Sequence, residues 1–284
     1  MTYTNLITAS ELFSNLQDPQ WVIVDCRFDL ANPNWGLLDY QRDHIPGAVY
    51  ASLNDILSGP TGLMTGRHPL PNLEKFAADL SALGIDNSKQ VVVYDVSSGS
   101  FAGRLWWLLQ SVGHEAVAVL DGGFTKWRAG NYATRSGVEK NPLRTFPLPH
   151  NISPDRFVTA EEVDKIRNDP NCILIDARTP ERFRGEQETI DPVAGHIPGA
   201  VDRFYGLNLQ SDGTFKSKAA LKAEFEDLLK GIDPKKAVVY CGSGVTSCHH
   251  LLALDYAELK GARLYVGSWS EWIRDPKRPR ATTD

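Results

Sequence analysis

The chain has only four cysteines in 284 residues. A disulfide scaffold carries cysteine far more densely, so free thiols in a reducing cytoplasm are expected. No apolar run approaches the roughly 18 residues that a membrane helix needs. The opening stretch MTYTNLITASELF has neither a basic nor an apolar segment, which argues against a secretory leader. Positive charge is also short: 30 Lys and Arg face 35 Asp and Glu, a net charge of −5. The basic residues of Arg274–Arg280 are few and broken by proline, so they read as a solvated tail. Nucleic acid and anionic membranes are poor partners for such a surface. No His/Cys spacing suits a structural zinc.

What the chain does have is repetition. VIVDCR at 22–27 returns as LIDAR at 174–178, and DHIPGAV at 43–49 returns as GHIPGAV at 195–201. VVVYD at 91–95 returns as AVVYC at 237–241, and GGFTKW at 122–127 returns as GSWSEW at 267–272. The order is kept, so a whole domain is duplicated in tandem. In each copy short apolar runs such as QVVVYD and AVVYC alternate with helical patterns such as LEKFAADLSALG and LKAEFEDLLKG. Apolar strands alternating with helices indicate an α/β domain, a parallel sheet with helices on both faces. We expect one domain over 1–135, a proline-rich linker over 136–155 and a second domain over 156–284. The duplication already pairs two domains, so a monomer is expected.

The repeat also separates fold from chemistry. Residues present in both copies, such as His44 and His196 or Arg27 and Arg178, read as structural. The strand end differs: Tyr94-Asp95 in the first copy, Tyr240-Cys241 in the second. Ligands of open parallel sheets bind beyond the carboxyl ends of strands. The loop after Cys241 leads into a helix, whose N-terminus favours negative charge. Gly242 and Gly244 let its backbone turn N–H groups inward. A cysteine there should be a thiolate near neutral pH, and the same cradle would suit an anionic persulfide. Cys26, Cys172 and Cys248 read as packed residues. His249 and His250 should point away from the loop. A Cys-x5-Arg phosphatase would need arginine where Ser247 stands, which excludes that chemistry.

The loop CGSGVTS, the two HIPGA segments and the GSWSEW end resemble the two-domain rhodanese superfamily of sulfurtransferases, and within it the 3-mercaptopyruvate sulfurtransferases. The resemblance covers nearly the whole chain and includes a first domain made inert by Asp95. It implies a two-step transfer by covalent catalysis, with no metal or organic cofactor needed. Cys241 takes sulfur from a small anionic donor, 3-mercaptopyruvate or thiosulfate, and passes it to cyanide, a thiol or a thioredoxin-type acceptor. It implies that Arg182 holds the donor's carboxylate, with Arg184 close by, and that Gly242, Gly244, Val245 and Thr246 line the donor site. It also implies that His68 in the first domain faces the cysteine and works with Ser243 and with an aspartate, Asp55. The family's second donor arginine has no counterpart in Glu186–Pro192, so thiosulfate stays open as donor. A module that carries sulfur without turnover is the competing reading.

Overall fold

The computed structural model describes residues 2–282. The chain folds into two compact units. The first holds residues 1–59, 70–152 and 211–215; the second holds 60–69, 153–210 and 216–284. Each half of the sequence thus lends a short segment to the unit built by the other half.

The first unit runs β1 (Leu6–Ile7), α1 (Ala9–Ser14), β2 (Trp21–Asp25), α2 (Trp35–Arg42), β3 (Val49–Tyr50), α3 (Leu73–Ala82), β4 (Gln90–Tyr94), α4 (Ala102–Ser111), β5 (Val117–Leu120) and α5 (Gly123–Ala129). The second runs β6 (Phe157–Val158), α6 (Ala160–Ile166), β7 (Ile173–Asp176), α7 (Pro180–Arg184), β8 (Ala200–Asp202), α8 (Lys218–Leu229), β9 (Ala237–Tyr240), α9 (Ser247–Tyr256), β10 (Arg263–Tyr265) and α10 (Ser268–Trp272). The sheets are parallel and share one order, β1-β5-β4-β2-β3 and β6-β10-β9-β7-β8. Every residue of β4 and β9 is buried, as a sheet covered on both faces requires.

Matched sequence gives matched local structure. Thr8 and Thr159 each close a capping box, with Glu11 and Glu162, where the first strand of each unit enters its helix. Arg27 and Arg178 are buried and paired with Asp25 and Asp176, each over an aromatic ring, Phe124 or Trp269. His44 and His196 stack on Tyr40 and Phe183 and bond the same residues' carbonyl oxygens through Nδ1. These four residues serve the fold. The proline-rich stretch has no helix or strand from 138 to 149. It straps the first unit instead: the Gly137 amide donates to Gln41 at 2.7 Å and the Arg144 amide to Ser81 at 3.1 Å.

The chain leaves β7 toward β8 on one side and β9 toward β10 on the other. The carboxyl ends of β7 and β9 therefore flank the crevice where open α/β sheets bind ligands. The loop 241–246 follows β9, and α7 follows β7. Among the described residues, no helix is long and apolar enough to cross a membrane.

Candidate active site

Cys241 directly follows β9 and is 2% exposed. Its backbone is fixed on both sides. The Cys241 amide donates to Ser268 Oγ at 3.1 Å, and its carbonyl accepts from the Trp269 amide at 3.0 Å. Gly242 O accepts from the Ser270 amide at 2.9 Å, so α10 holds the loop in place. Gly244 is required here: its φ is +74°, and a Cβ would stand 2.1 Å from Val266 O. Gly242 is under no such backbone constraint, but it leaves room for two side chains. A Cβ there would meet Arg67 Nη2 at 2.7 Å and the Arg182 guanidinium at about 3.5 Å.

Burial pushes the Cys241 thiol's pKa up, yet the net direction is down. Hydrogen bonds from the Thr246 and Ser247 hydroxyls and from the backbone N–H groups of Ser243 and Ser247 outweigh the desolvation. Ser247 Oγ lies 3.5 Å from the sulfur. Thr246 stands at the N-cap of α9 without capping it, because its hydroxyl serves the sulfur.

The first unit shows what this cradle binds. Asp95 stands where Cys241 does, and its buried carboxylate accepts four backbone hydrogen bonds. Oδ1 takes Ser97 N and Gly99 N at 2.8 and 2.9 Å; Oδ2 takes Phe101 N and Ala102 N at 2.8 and 2.9 Å. The strand–loop–helix turn is an anion nest, and the first unit fills it with its own carboxylate.

Several expected site residues come together around Cys241. His68 lies in the first half of the sequence but in the segment that belongs to the second unit. It is 5% exposed, and its Nδ1 is 2.8 Å from Ser243 Oγ. Arg182, on α7, is gripped by Glu188, with Nε to Oε2 at 3.0 Å and Nη2 to Oε1 at 2.9 Å. Its Nη2 also reaches Asp191 Oδ2 at 3.0 Å. Arg67, which sequence reasoning passed over, bonds the other oxygen of Asp191. Burial raises the Asp191 pKa against the pull of Arg67. Glu188 moves down, because the Asp191 and Ile190 amides and Arg182 outweigh its burial.

Others stay apart. Arg184 lies two positions from Arg182, so a helix turns it elsewhere, and its guanidinium is held by Glu186 at 2.7 Å. Val245 is buried. Asp55 belongs to the first unit, exposed on a turn, where its carbonyl accepts from Lys75 Nζ at 2.6 Å. Cys172, expected in the core, is half-buried in the turn before β7, its thiol 3.6 Å from Asp169 Oδ2. Cys248 is fully buried, and His249 and His250 turn to Asn208. Ser247 was missed as a ligand of the sulfur. The duplication could have found it, since the first copy has Phe101 at that position.

A family model described as the rhodanese-like domain matches residues 8–130 and again 159–275. A Pseudomonas aeruginosa protein named a probable 3-mercaptopyruvate sulfurtransferase is 44% identical, covering 100% of both chains. A Mycobacterium tuberculosis relative that carries a thiosulfate sulfurtransferase name is 40% identical, covering 96% of this chain and 95% of its own. Among solved structures, the 3-mercaptopyruvate sulfurtransferase from Leishmania major superposes with a TM-score of 0.84 at 29% identity, over 96% of this chain and 76% of that one. Two rhodanese-like regions on two sheets of one topology leave a single conclusion: this chain belongs to the rhodanese family, as a two-domain sulfurtransferase.

Proposed function

We propose that the protein moves a sulfane sulfur from 3-mercaptopyruvate through a persulfide on Cys241 to cyanide or to a thiol acceptor such as a thioredoxin. The observation that carries this reading is the hydrogen-bonded Cys241 sulfur in the position where the first unit holds an anion. The thiolate attacks the donor's sulfur and an S–S bond forms. The donor's C–S bond breaks, and its electron pair stays on the methylene carbon as the enolate of pyruvate. That carbon takes up the proton released by the donor's own thiol. The bonded pair Ser243 and His68 stands beside the loop to carry this proton. In the second step the acceptor attacks the outer sulfur. Cyanide leaves as thiocyanate, and Cys241 returns as thiolate. No external oxidant or reductant enters either step.

Thiosulfate is the second donor to weigh, given the relative named for it at 40% identity. A solution monomer with small-molecule donors, acting in the cytoplasm away from nucleic acid and membranes, completes the proposal. The test is incubation with 3-mercaptopyruvate or thiosulfate, followed by assay of cyanide-releasable sulfur and of repeated turnover. Cys241→Ser should lose both while its circular dichroism is unchanged. Transfer by Cys241→Ser above background would overturn the assignment. One loading without turnover in the native protein would make it a sulfur carrier.

A further inference from the structure

We propose that Arg67 is a second donor-binding guanidinium, and that with Arg182 it selects a small donor whose carboxylate adjoins a carbonyl. The inference rests on the sulfurtransfer reading above and names its substrate class. It begins with Gly242, the residue after Cys241. Two guanidinium groups from distant parts of the sequence close on its bare α-carbon: Arg67 Nη2 at 2.7 Å and Arg182 Nη2 at 3.5 Å from where a Cβ would stand.

Both groups are held on one edge and open on another. Arg182 gives Nε and Nη2 to Glu188 and Asp191, and its Nη1 makes no hydrogen bond among the described residues. Arg67 gives Nη1 to Asp191. Its Nε is buried with no partner, and its Nη2 makes no hydrogen bond among the described residues. The Arg67 amide is tied to Ser270 Oγ at 3.1 Å, in the helix that also holds the Gly242 carbonyl, so the side chain starts from a fixed point.

A buried donor left without a partner calls for an explanation, and an acceptor brought by a ligand that settles against Arg67 supplies one. Asp191 spans the two arginines with one oxygen each, so it sets their spacing as well as offsetting their charge. At 24% and 17% exposure, the two side chains are open enough to meet a small molecule. Two planar N–H edges that converge from separate backbones suit a ligand with two adjacent acceptor groups. A carboxylate next to a carbonyl presents these, with its sulfur one methylene further on, toward Cys241.

Arg67→Gln and Arg67→Lys should be compared with the native protein in three measurements: steady-state transfer from 3-mercaptopyruvate, competitive inhibition by pyruvate, and protection of Cys241 by pyruvate from iodoacetamide. Arg67→Gln is expected to raise the KM for 3-mercaptopyruvate and the inhibition constant of pyruvate together, by about tenfold or more, with kcat within about threefold. Arg67→Lys keeps the charge and the Asp191 contact but loses the second N–H edge, so it should recover only part of the loss. A purely bridging role for Arg67 predicts full recovery by lysine, and that result would overturn the proposal. So would a fall in kcat with both constants unchanged. The protection measurement needs no turnover. If the native protein transfers no sulfur from 3-mercaptopyruvate, yet pyruvate still protects Cys241 in an Arg67-dependent way, the donor reading fails and this inference stands. If pyruvate protects both proteins equally, this inference fails alone.

Discussion

Ser247→Ala is the sharpest perturbation of the sulfur's environment, because it removes one hydroxyl donor and little volume. A hydrogen bond to a charged group is worth about 1.5–3 kcal/mol. The Ser247 contact is long, at 3.5 Å, which places it at the low end. A loss of about 1.4 kcal/mol is a factor of about ten in the thiol–thiolate equilibrium. The folded protein holds the Cys241 pKa below its ordinary value, so the variant should keep the proton to higher pH. On the acid side of both titrations the variant carries about tenfold less thiolate, each about threefold more nucleophilic, so it should react about threefold more slowly. On the alkaline side both proteins are fully ionised and the sign reverses. A less stabilised thiolate is the better nucleophile, with a Brønsted coefficient of about 0.4–0.5, so the variant should be about threefold faster.

The assay is the rate of Cys241 alkylation by iodoacetamide, an uncharged probe, followed at the peptide level from acid to alkaline pH. Cys26 and Cys248 are fully buried, and the half-buried Cys172 falls in a different peptide. The two profiles should cross. Parallel profiles, with one constant ratio at every pH, would refute the reasoning and show that the hydroxyl only shapes the loop. Thr246→Val should act in the same direction, and the double variant should exceed either one.

Two further perturbations follow from the loops. Gly244→Ala puts a Cβ 2.1 Å from Val266 O at a φ of +74°, a contact with backbone that cannot swing away. It should abolish sulfur loading and lower the urea midpoint, and unchanged values of both would show that the loop shifts freely. Asp95→Ala strips the acceptor from four buried amides at about 1–3 kcal/mol each before relaxation. Peptide-level hydrogen exchange should show the amides of 97–102 losing protection, whereas retained protection would mean that water replaces the carboxylate at no cost.

The repeated strands and the structural histidines and arginines were legible because each is specified locally and stated twice. Cys241 was legible because the first copy has Asp95 in its place. The donor-side network was not. Arg67 and Asp191 lie far apart in sequence, and no local pattern reports that residues 60–69 fold with the second sheet. The stretch Glu186–Pro192 read as a gap, since it lacks the second arginine that the resemblance implies. Physically it is a loop of acceptors: Glu188 and Asp191 supply the carboxylates that orient Arg182 from behind. Arg184 was grouped with Arg182 by nearness in sequence, but helical geometry sends the two side chains to different sides. Cys172 was read as packed, but it lies just before β7 and is only half-buried.

The two halves of the chain pose one electrostatic problem and answer it differently. Each builds a nest of inward N–H groups at a helix entrance, and such a nest is unstable when empty. In the first unit Asp95 fills it permanently: both carboxylate oxygens are spent on amides, and the position after it that matters most is Phe101, packed edge-on against Phe28. In the second unit the occupant is a sulfur, larger and softer, held partly by hydroxyls that can turn. Under the proposed transfer, a thiolate there gains a second sulfur and keeps its charge. Asp95 allows no such extension, since a carboxylate oxygen is a hard, weak nucleophile toward sulfur and this one is committed to four amide N–H groups. The two halves thus differ in what fills the nest, a weakly nucleophilic carboxylate in the first unit and a polarisable sulfur in the second.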